Sequence, residues 1–262
     1  MAQMNVLDLT VMLKEAYSPR ESTYKEWLKS IKPIQHLSVR DIGNAEVFQY
    51  RTNGLKTLSK STLRTRIGYL KALWKKAHKW KLIEGENPWL EADDGLKSRR
   101  RDPELLPYEF YSYYHNDPYF QCLWYSGMRI GELAGIYPEN VVTTAPIPYF
   151  NLVHQENRLL KNDSSIRKIP IHPACLPFVS RLYFSKAKEP GRSWSENFRE
   201  NLGLPQGDGA HSLRHSFTSR MRLAGCDYST LKRLLGHGHN DRIENYGKFP
   251  IELLYTEIKK LS

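Results

Sequence analysis

The chain has 262 residues and carries 39 Lys and Arg against 28 Asp and Glu, a net charge of +11 with histidine neutral. Hydrophobic residues make up 40% and aromatic residues 12%, more apolar material than a disordered chain holds, and no apolar run reaches the roughly 18 residues of a membrane span. Three dispersed cysteines, Cys122, Cys175 and Cys226, form neither a disulfide framework nor a zinc pattern and fit a reducing cytoplasm.

The length suits one large domain or two ordinary ones, and the charge divides unevenly between two parts. Residues 1–100 hold 19 Lys and Arg against 11 Asp and Glu, a net of +8, and the remainder holds 20 against 17, a net of +3. Four helices are expected in the first part: 6–17, 22–31, 39–51 ended by Asn53-Gly54, and 57–83. The fourth is the strongest, with Leu63, Ile67, Leu70, Trp74 and Ala77 at helical spacing and Ser61 and Thr62 as candidate caps. Residues 55–83 contain nine Lys and Arg and no acid. At about 100° per residue, Lys60, Arg64, Lys71, Lys75 and Lys79 fall on one flank beside the apolar stripe. Two readings stay open for this flank: a solvated basic face, or a grip on a polyanion's phosphates.

Short connections make residues 1–92 a small helical bundle. The charged, aperiodic stretch 93–103 reads as a linker, and 104–262 as a second, mixed domain. Helix is expected over 107–127, with a break at Asp117-Pro118, and again over 131–136. Residues 141–153 read as short strands and turns, and 166–171 (IRKIPI) as a strand after the polar turn 161–165. Helices follow to the C-terminus. The expected fold class is mainly α with a small antiparallel sheet, in two domains.

Four segments in the second part stand out: Ser126-Gly127-Met128-Arg129-Ile130-Gly131-Glu132-Leu133, Lys161 before Arg167-Lys168-Ile169-Pro170, His211-Ser212-Leu213-Arg214-His215, and Leu235-Gly236-His237 followed by Tyr246. Singly, each has an ordinary explanation: an inter-helix arginine, a solvated lysine, helix-surface histidines, a packed tyrosine. Together, and in this order, they resemble the tyrosine recombinase (phage integrase) family. The spacings agree too: 23 residues from Arg214 to His237 and nine from His237 to Tyr246.

The resemblance implies DNA strand cleavage and rejoining through a 3′-phosphotyrosyl intermediate, without ATP, metal or other cofactor. It implies a catalytic set of Arg129, Lys161, His211, Arg214, His237 and Tyr246, with Tyr246 the nucleophile. The residue types suit that chemistry. Two guanidiniums can hold the non-bridging oxygens of a phosphodiester. A phenol with a pKa near 10 needs a base such as His211. The departing 5′ oxygen needs a proton, which Lys161 can give; Lys168 is the weaker candidate for that role. Glu132 and His215 are implied to be supporting residues.

The same resemblance makes the first domain a core-DNA-binding domain; the arm-binding domain that many members carry ahead of it is expected to be missing from this sequence, either by truncation or because the recombinase is a simpler one. Double-stranded DNA is the implied partner, with a homotetramer assembled on it in the cytoplasm of a bacterial, archaeal or phage-infected cell, and accessory DNA-bending proteins alongside. Ile251, Leu254, Ile258 and Leu261 recur at helical spacing in the tail. That helix packs either on its own domain or on a neighbouring protomer. Three other functions remain to be weighed: a type IB topoisomerase, a non-catalytic DNA-binding relative, and a metal hydrolase built on His211, His215, His237 and His239.

Overall fold

The structure is a computed structural model that describes residues 4–96, 106, 109–156, 158–160, 163–182, 191–203, 209–237 and 249–261. The chain divides into two compact units, Met1–Arg101 and Asp102–Ser262.

The first unit is a bundle of α1 (Val6–Tyr17), α2 (Glu21–Ile31), α3 (Asn44–Thr57) and α4 (Lys60–Lys79). Asn5 caps α1, accepting from the Asp8 N–H, while Asp8 accepts from the Asn5 N–H in return. This reciprocal pairing satisfies two backbone donors that a helix start leaves open. The third helix departs from expectation at both ends. Residues 39–41 form a single 3-10 turn, and the helix starts only at Asn44, where the Glu46 carboxylate accepts from the Gly43 N–H at 2.9 Å. It then runs through Asn53-Gly54 rather than ending there. A Cβ on Gly54 would stand 2.5 Å from Leu63 Cδ1, so this glycine serves the close approach of α3 to α4.

The α4 stripe is as anticipated: Leu63, Ile67, Leu70, Trp74 and Ala77 are all buried. Its cap is Ser59, whose hydroxyl accepts from the Thr62 N–H at 3.1 Å, in place of Ser61 or Thr62. Trp89, Ala92 and Leu96 pack into the same core. Residues 93–96 of the anticipated linker are therefore part of the folded unit, and 97–103 lie outside the described residues.

The second unit is built from α5 (Glu109–Tyr114), α6 (Pro118–Ser126), α7 (Ile130–Ala134), β1 (Val141–Val142), β2 (Tyr149–Leu152), β3 (Arg167–Pro170), α8 (Leu176–Val179), α9 (Arg192–Asn201), α10 (Ala210–Leu223), α11 (Tyr228–Leu235) and α12 (Ile251–Ile258). Asp117 caps α6 ahead of Pro118, at the break expected from the sequence. The three strands form one antiparallel sheet in the order β1-β2-β3, with Phe150 opposite Ile169 and Leu152 opposite Arg167. Helices α6 and α10 pack together through Phe120, Leu123, Trp124, Leu213 and Phe217, all fully buried. The chain is thus mainly α with a small antiparallel sheet. Among the described residues no helix is long and apolar enough to cross a membrane.

In the single chain the tail helix lies on its own domain. Leu254, Ile258 and Leu261 are buried in the second unit's core. The Leu261 carbonyl accepts from His172 Nε2 at 2.9 Å. His172 Nδ1 already accepts from the Ala174 N–H, so the ring is neutral with its proton on Nε2.

Candidate active site

Arg214 is the centre of the constellation. It lies on the second turn of α10 and is 4% exposed. Its Nη1 donates to the Gly127 carbonyl at 2.8 Å, and its Nη2 to the Leu235 carbonyl at 2.5 Å. Nη2 also meets His237 Nε2 at 3.2 Å. A guanidinium only donates, so Nε2 is the acceptor in this contact and a neutral His237 carries its proton on Nδ1. One side chain thereby joins the first, third and fourth motif segments. Gly127 is constrained as well. It ends α6 with a φ of 64°, and a Cβ there would stand 2.3 Å from the Phe217 ring.

Arg129 sits immediately before α7. The Glu132 carboxylate accepts from the Arg129 backbone N–H at 3.0 Å and from its Nη1 at 2.7 Å. It also accepts from Arg167 Nη2 at 3.0 Å and Nη1 at 3.3 Å. The Arg129 side chain remains 30% exposed, and among the described residues only one of its guanidinium donors is engaged. Arg214 likewise keeps its Nε and one Nη1 hydrogen uncommitted among the described residues. Those are the donors that could take an anion's oxygens.

The surroundings set the charges. Burial opposes ionisation of Glu132, yet the Arg167 charge and hydrogen bonds, with help from Arg129, hold its pKa down to about 2. Burial and then repulsion from Arg129 bring Arg214 down to about 9, still cationic at neutral pH. Partial burial lowers the pKa of His211 below the usual histidine range, and His215, Arg214 and Arg129 lower it further. His237 is lowered by partial burial and by Arg214, Arg129 and Arg167. Both histidines are therefore neutral at neutral pH, the form in which an imidazole can accept a proton.

Of the six catalytic candidates, the structure places Arg129, His211, Arg214 and His237 in this second unit; Lys161 and Tyr246 lie outside the described residues. His211 opens onto solvent at the first turn of α10, with its ring edge-on to His215 at 4.8 Å. Lys168 does not join the group. Side chains alternate along a strand, so β3 sends Arg167 to Glu132 and Lys168 to the opposite, exposed face, where its Nζ lies 4.6 Å from the Tyr149 ring centroid. Among the described residues no three His, Cys, Asp or Glu side chains are grouped to hold a metal ion; His239 is outside them. The sequence marks Arg167 as part of a motif segment, but its hold on Glu132 carries no local signal.

In the first unit, Lys60, Arg64, Lys75 and Lys79 are exposed and Lys71 half-buried. Asp93 pairs with Lys71 and lies 3.6 Å from Arg64 Nε. The hydrogen bond from Lys71, together with the charge of that lysine, holds the Asp93 carboxyl below its ordinary pKa.

No family model matches the chain. Over 57 residues, 21% of this chain and 19% of the relative, it is 46% identical to tyrosine recombinase XerC of Rickettsia peacockii (strain Rustic). Over 143 residues it is 27% identical to an integrase of Escherichia phage P2, with 51% of this chain and 37% of that protein matched. The matched segments thus span about a third of the integrase and a fifth of the recombinase. Among solved structures, the Tn1549 transposon integrase in complex with circular intermediate DNA aligns with a TM-score of 0.71 and 18% identity, over 97% of this chain and 99% of that one. A lambda integrase dimer bound to a core site gives 0.66 and 18%, over 95% and 100%. At such identities these two likenesses speak for the fold. Together with the motif segments that Arg214 joins, the matches make this chain similar to tyrosine recombinases and integrases, in sequence over the matched segments and in fold over most of the chain.

Proposed function

We propose that the protein is a site-specific DNA recombinase that cuts and rejoins strands through a 3′-phosphotyrosyl intermediate. The observation that carries this reading is the Arg214 guanidinium, held by the Gly127 and Leu235 carbonyls against His237 while Arg129 stands partly exposed in the same unit. Such an array supplies fixed positive donors for the charge that builds on a phosphodiester's non-bridging oxygens. In this reading the Tyr246 Oη attacks phosphorus, its proton passes to neutral His211, and the bond from phosphorus to the 5′ oxygen breaks. Lys161 gives that oxygen its proton. The phosphotyrosyl bond conserves the energy of the broken link, so another 5′-hydroxyl can reverse the step on a new partner strand.

The first unit, with its Lys60, Arg64, Lys71, Lys75 and Lys79 flank, is assigned to holding the DNA backbone, and residues 97–103 to the passage between the domains. A lambda integrase tetramer bound to a Holliday junction shares the fold, which supports assembly of four protomers on DNA; the reading further takes the cytoplasm as its place and DNA-bending proteins as accessories. Exchange of the α12 tail between protomers would have to lift Leu254, Ile258 and Leu261 out of their own domain. Deleting residues 250–262 tests this: unchanged tetramer formation on DNA contradicts exchange.

The test of the chemistry is a duplex nicked beside the cleavage site, which traps the covalent adduct on a denaturing gel. Tyr246→Phe abolishes the adduct and leaves binding intact, and the wild-type reaction persists in EDTA. An adduct that survives in Tyr246→Phe contradicts the assigned nucleophile.

A further inference from the structure

We infer that Arg167 is a positioning residue for the phosphate site: it fixes Glu132, and through it Arg129, relative to the Leu235–His237 segment. The inference rests on the recombinase reading above. The Arg167 side chain is only 8% exposed, so it acts on its neighbours and not on DNA directly. Its planar guanidinium is bound on three sides. Nε donates to the Leu234 carbonyl at 2.9 Å, Nη1 to the Ser165 carbonyl at 2.9 Å, and Nη1 and Nη2 to the two oxygens of Glu132.

Each of these partners adjoins a residue of the proposed site. Leu234 precedes Leu235, whose carbonyl takes Arg214, and Gly236 and His237 follow. Gly236 has a φ of 63°, and a Cβ there would stand 2.6 Å from Arg167 Nη1 and 2.8 Å from its Cζ. The glycine before His237 thus answers both to a left-handed turn and to the guanidinium lying against it. Ser165 ends the 3-10 turn that follows Lys161 and Asn162. Glu132 binds Arg129.

The division of Glu132 between two arginines decides what Arg129 can do. Arg167 occupies Oε2 and shares Oε1, which leaves Arg129 a single guanidinium contact, through Nη1. Without Arg167, the only cation bonded to this buried carboxylate among the described residues would be Arg129. A carboxylate and a guanidinium left alone favour a two-point fork. Arg129 would turn inward to complete it and withdraw donors from the phosphate. Lysine cannot substitute. Its single nitrogen cannot serve two carbonyls and both carboxylate oxygens at once.

The experiment compares wild type, Arg167→Ala and Arg167→Lys. The substrate is a duplex that wild type itself captures covalently from a randomised nicked library. Single-turnover adduct formation, equilibrium binding to the same duplex and thermal melting are measured. Both variants form adduct about 10²-fold more slowly, the cost of a misplacement of about 1 Å in a reacting group, while binding is unchanged. Because Arg167 acts through Glu132, adding Arg167→Lys to Glu132→Gln brings little further loss. Should Arg167→Ala fail to fold, Arg167→Lys, which keeps the charge and the stem, gives the reading. Wild-type adduct rates in Arg167→Lys, a loss in binding equal to the loss in rate, or full additivity with Glu132→Gln each overturn the positioning role. If wild type captures no duplex at all, the recombinase reading fails and this inference falls with it.

Discussion

The two units hold their positive charge in opposite ways. In the first, Lys60, Arg64, Lys75 and Lys79 stand exposed along α4, and Asp93 engages Lys71 and approaches Arg64. In the second, Arg214 and Arg167 are buried and bound to backbone carbonyls of Gly127, Leu235, Leu234 and Ser165. A solvated ammonium attracts a polyanion in a way that salt screens and that says nothing about direction. A buried guanidinium has a fixed direction and acts in a weaker dielectric, so it can favour one charge distribution over another. Under the proposed function, equal formal charges provide affinity in one place and geometry in the other.

The largest effect that could break this contrast is at Arg214. Arg214→Ala slows adduct formation by about 10²–10³-fold, the usual cost of removing a charge-stabilising donor, and hardly alters binding. It also leaves the Gly127 and Leu235 carbonyls without their donor, at about 1–3 kcal/mol each where no water replaces it. Single-turnover kinetics beside a binding isotherm checks this. Equal losses in both would make Arg214 an affinity cation like those on α4.

Acid separates the units next. The Glu132 pKa is about 2 in the folded chain against an ordinary 4.5. The folded state therefore binds fewer protons there, and the stability this group contributes is complete above pH 4.5 and is lost as pH falls towards about 2. Glu132→Gln flattens that acid dependence in denaturant melts of the whole chain. Cleavage rate has its own acid limb. Since the pKa of His211 is lowered, the base stays neutral as pH falls through the usual histidine value of about 6.5, and the rate declines only below it. A pH–rate profile that bends at or above the usual value contradicts the His211 assignment.

Smaller effects belong to α4. Lys75→Ala with Lys79→Ala weakens DNA binding and lowers the slope of log affinity against log salt by about 0.9 for each phosphate that is no longer neutralised. At saturating DNA the cleavage rate is unchanged. Asp93→Asn releases Lys71 and Arg64 from their carboxylate and tightens binding slightly, within the ~1 kcal/mol an exposed ion pair carries. A titration of affinity against salt reads both, and weaker binding in Asp93→Asn would make that carboxylate an organiser of the flank.

The parts of the molecule legible in the sequence are those with local signatures. The α4 stripe, the Asp117-Pro118 start and the alternation of IRKIPI depend on residues within a turn or two of one another. The motif segments are legible as residue types, but their assembly is not. Arg214 reaches carbonyls 87 and 21 residues away, and Arg167 reaches one 67 residues away. A backbone oxygen has no residue type to read. The third helix defies its sequence for a related reason: Asn53-Gly54 reads as a stop, whereas the glycine is set by Leu63 on the adjoining helix. Lys168 is a plausible proton donor in the sequence because it is a lysine near the right place, and the parity of β3 sends it to the other face.

The central claim is that one tyrosine of this chain takes over a DNA phosphate. The most direct measurement is mass spectrometry of the trapped adduct after digestion of both protein and DNA. The account predicts a peptide containing Tyr246 joined to a 3′ phosphate, with a free 5′-hydroxyl on the departing strand. Attachment at another residue, a 5′-phosphate linkage, or no adduct from wild type contradicts it.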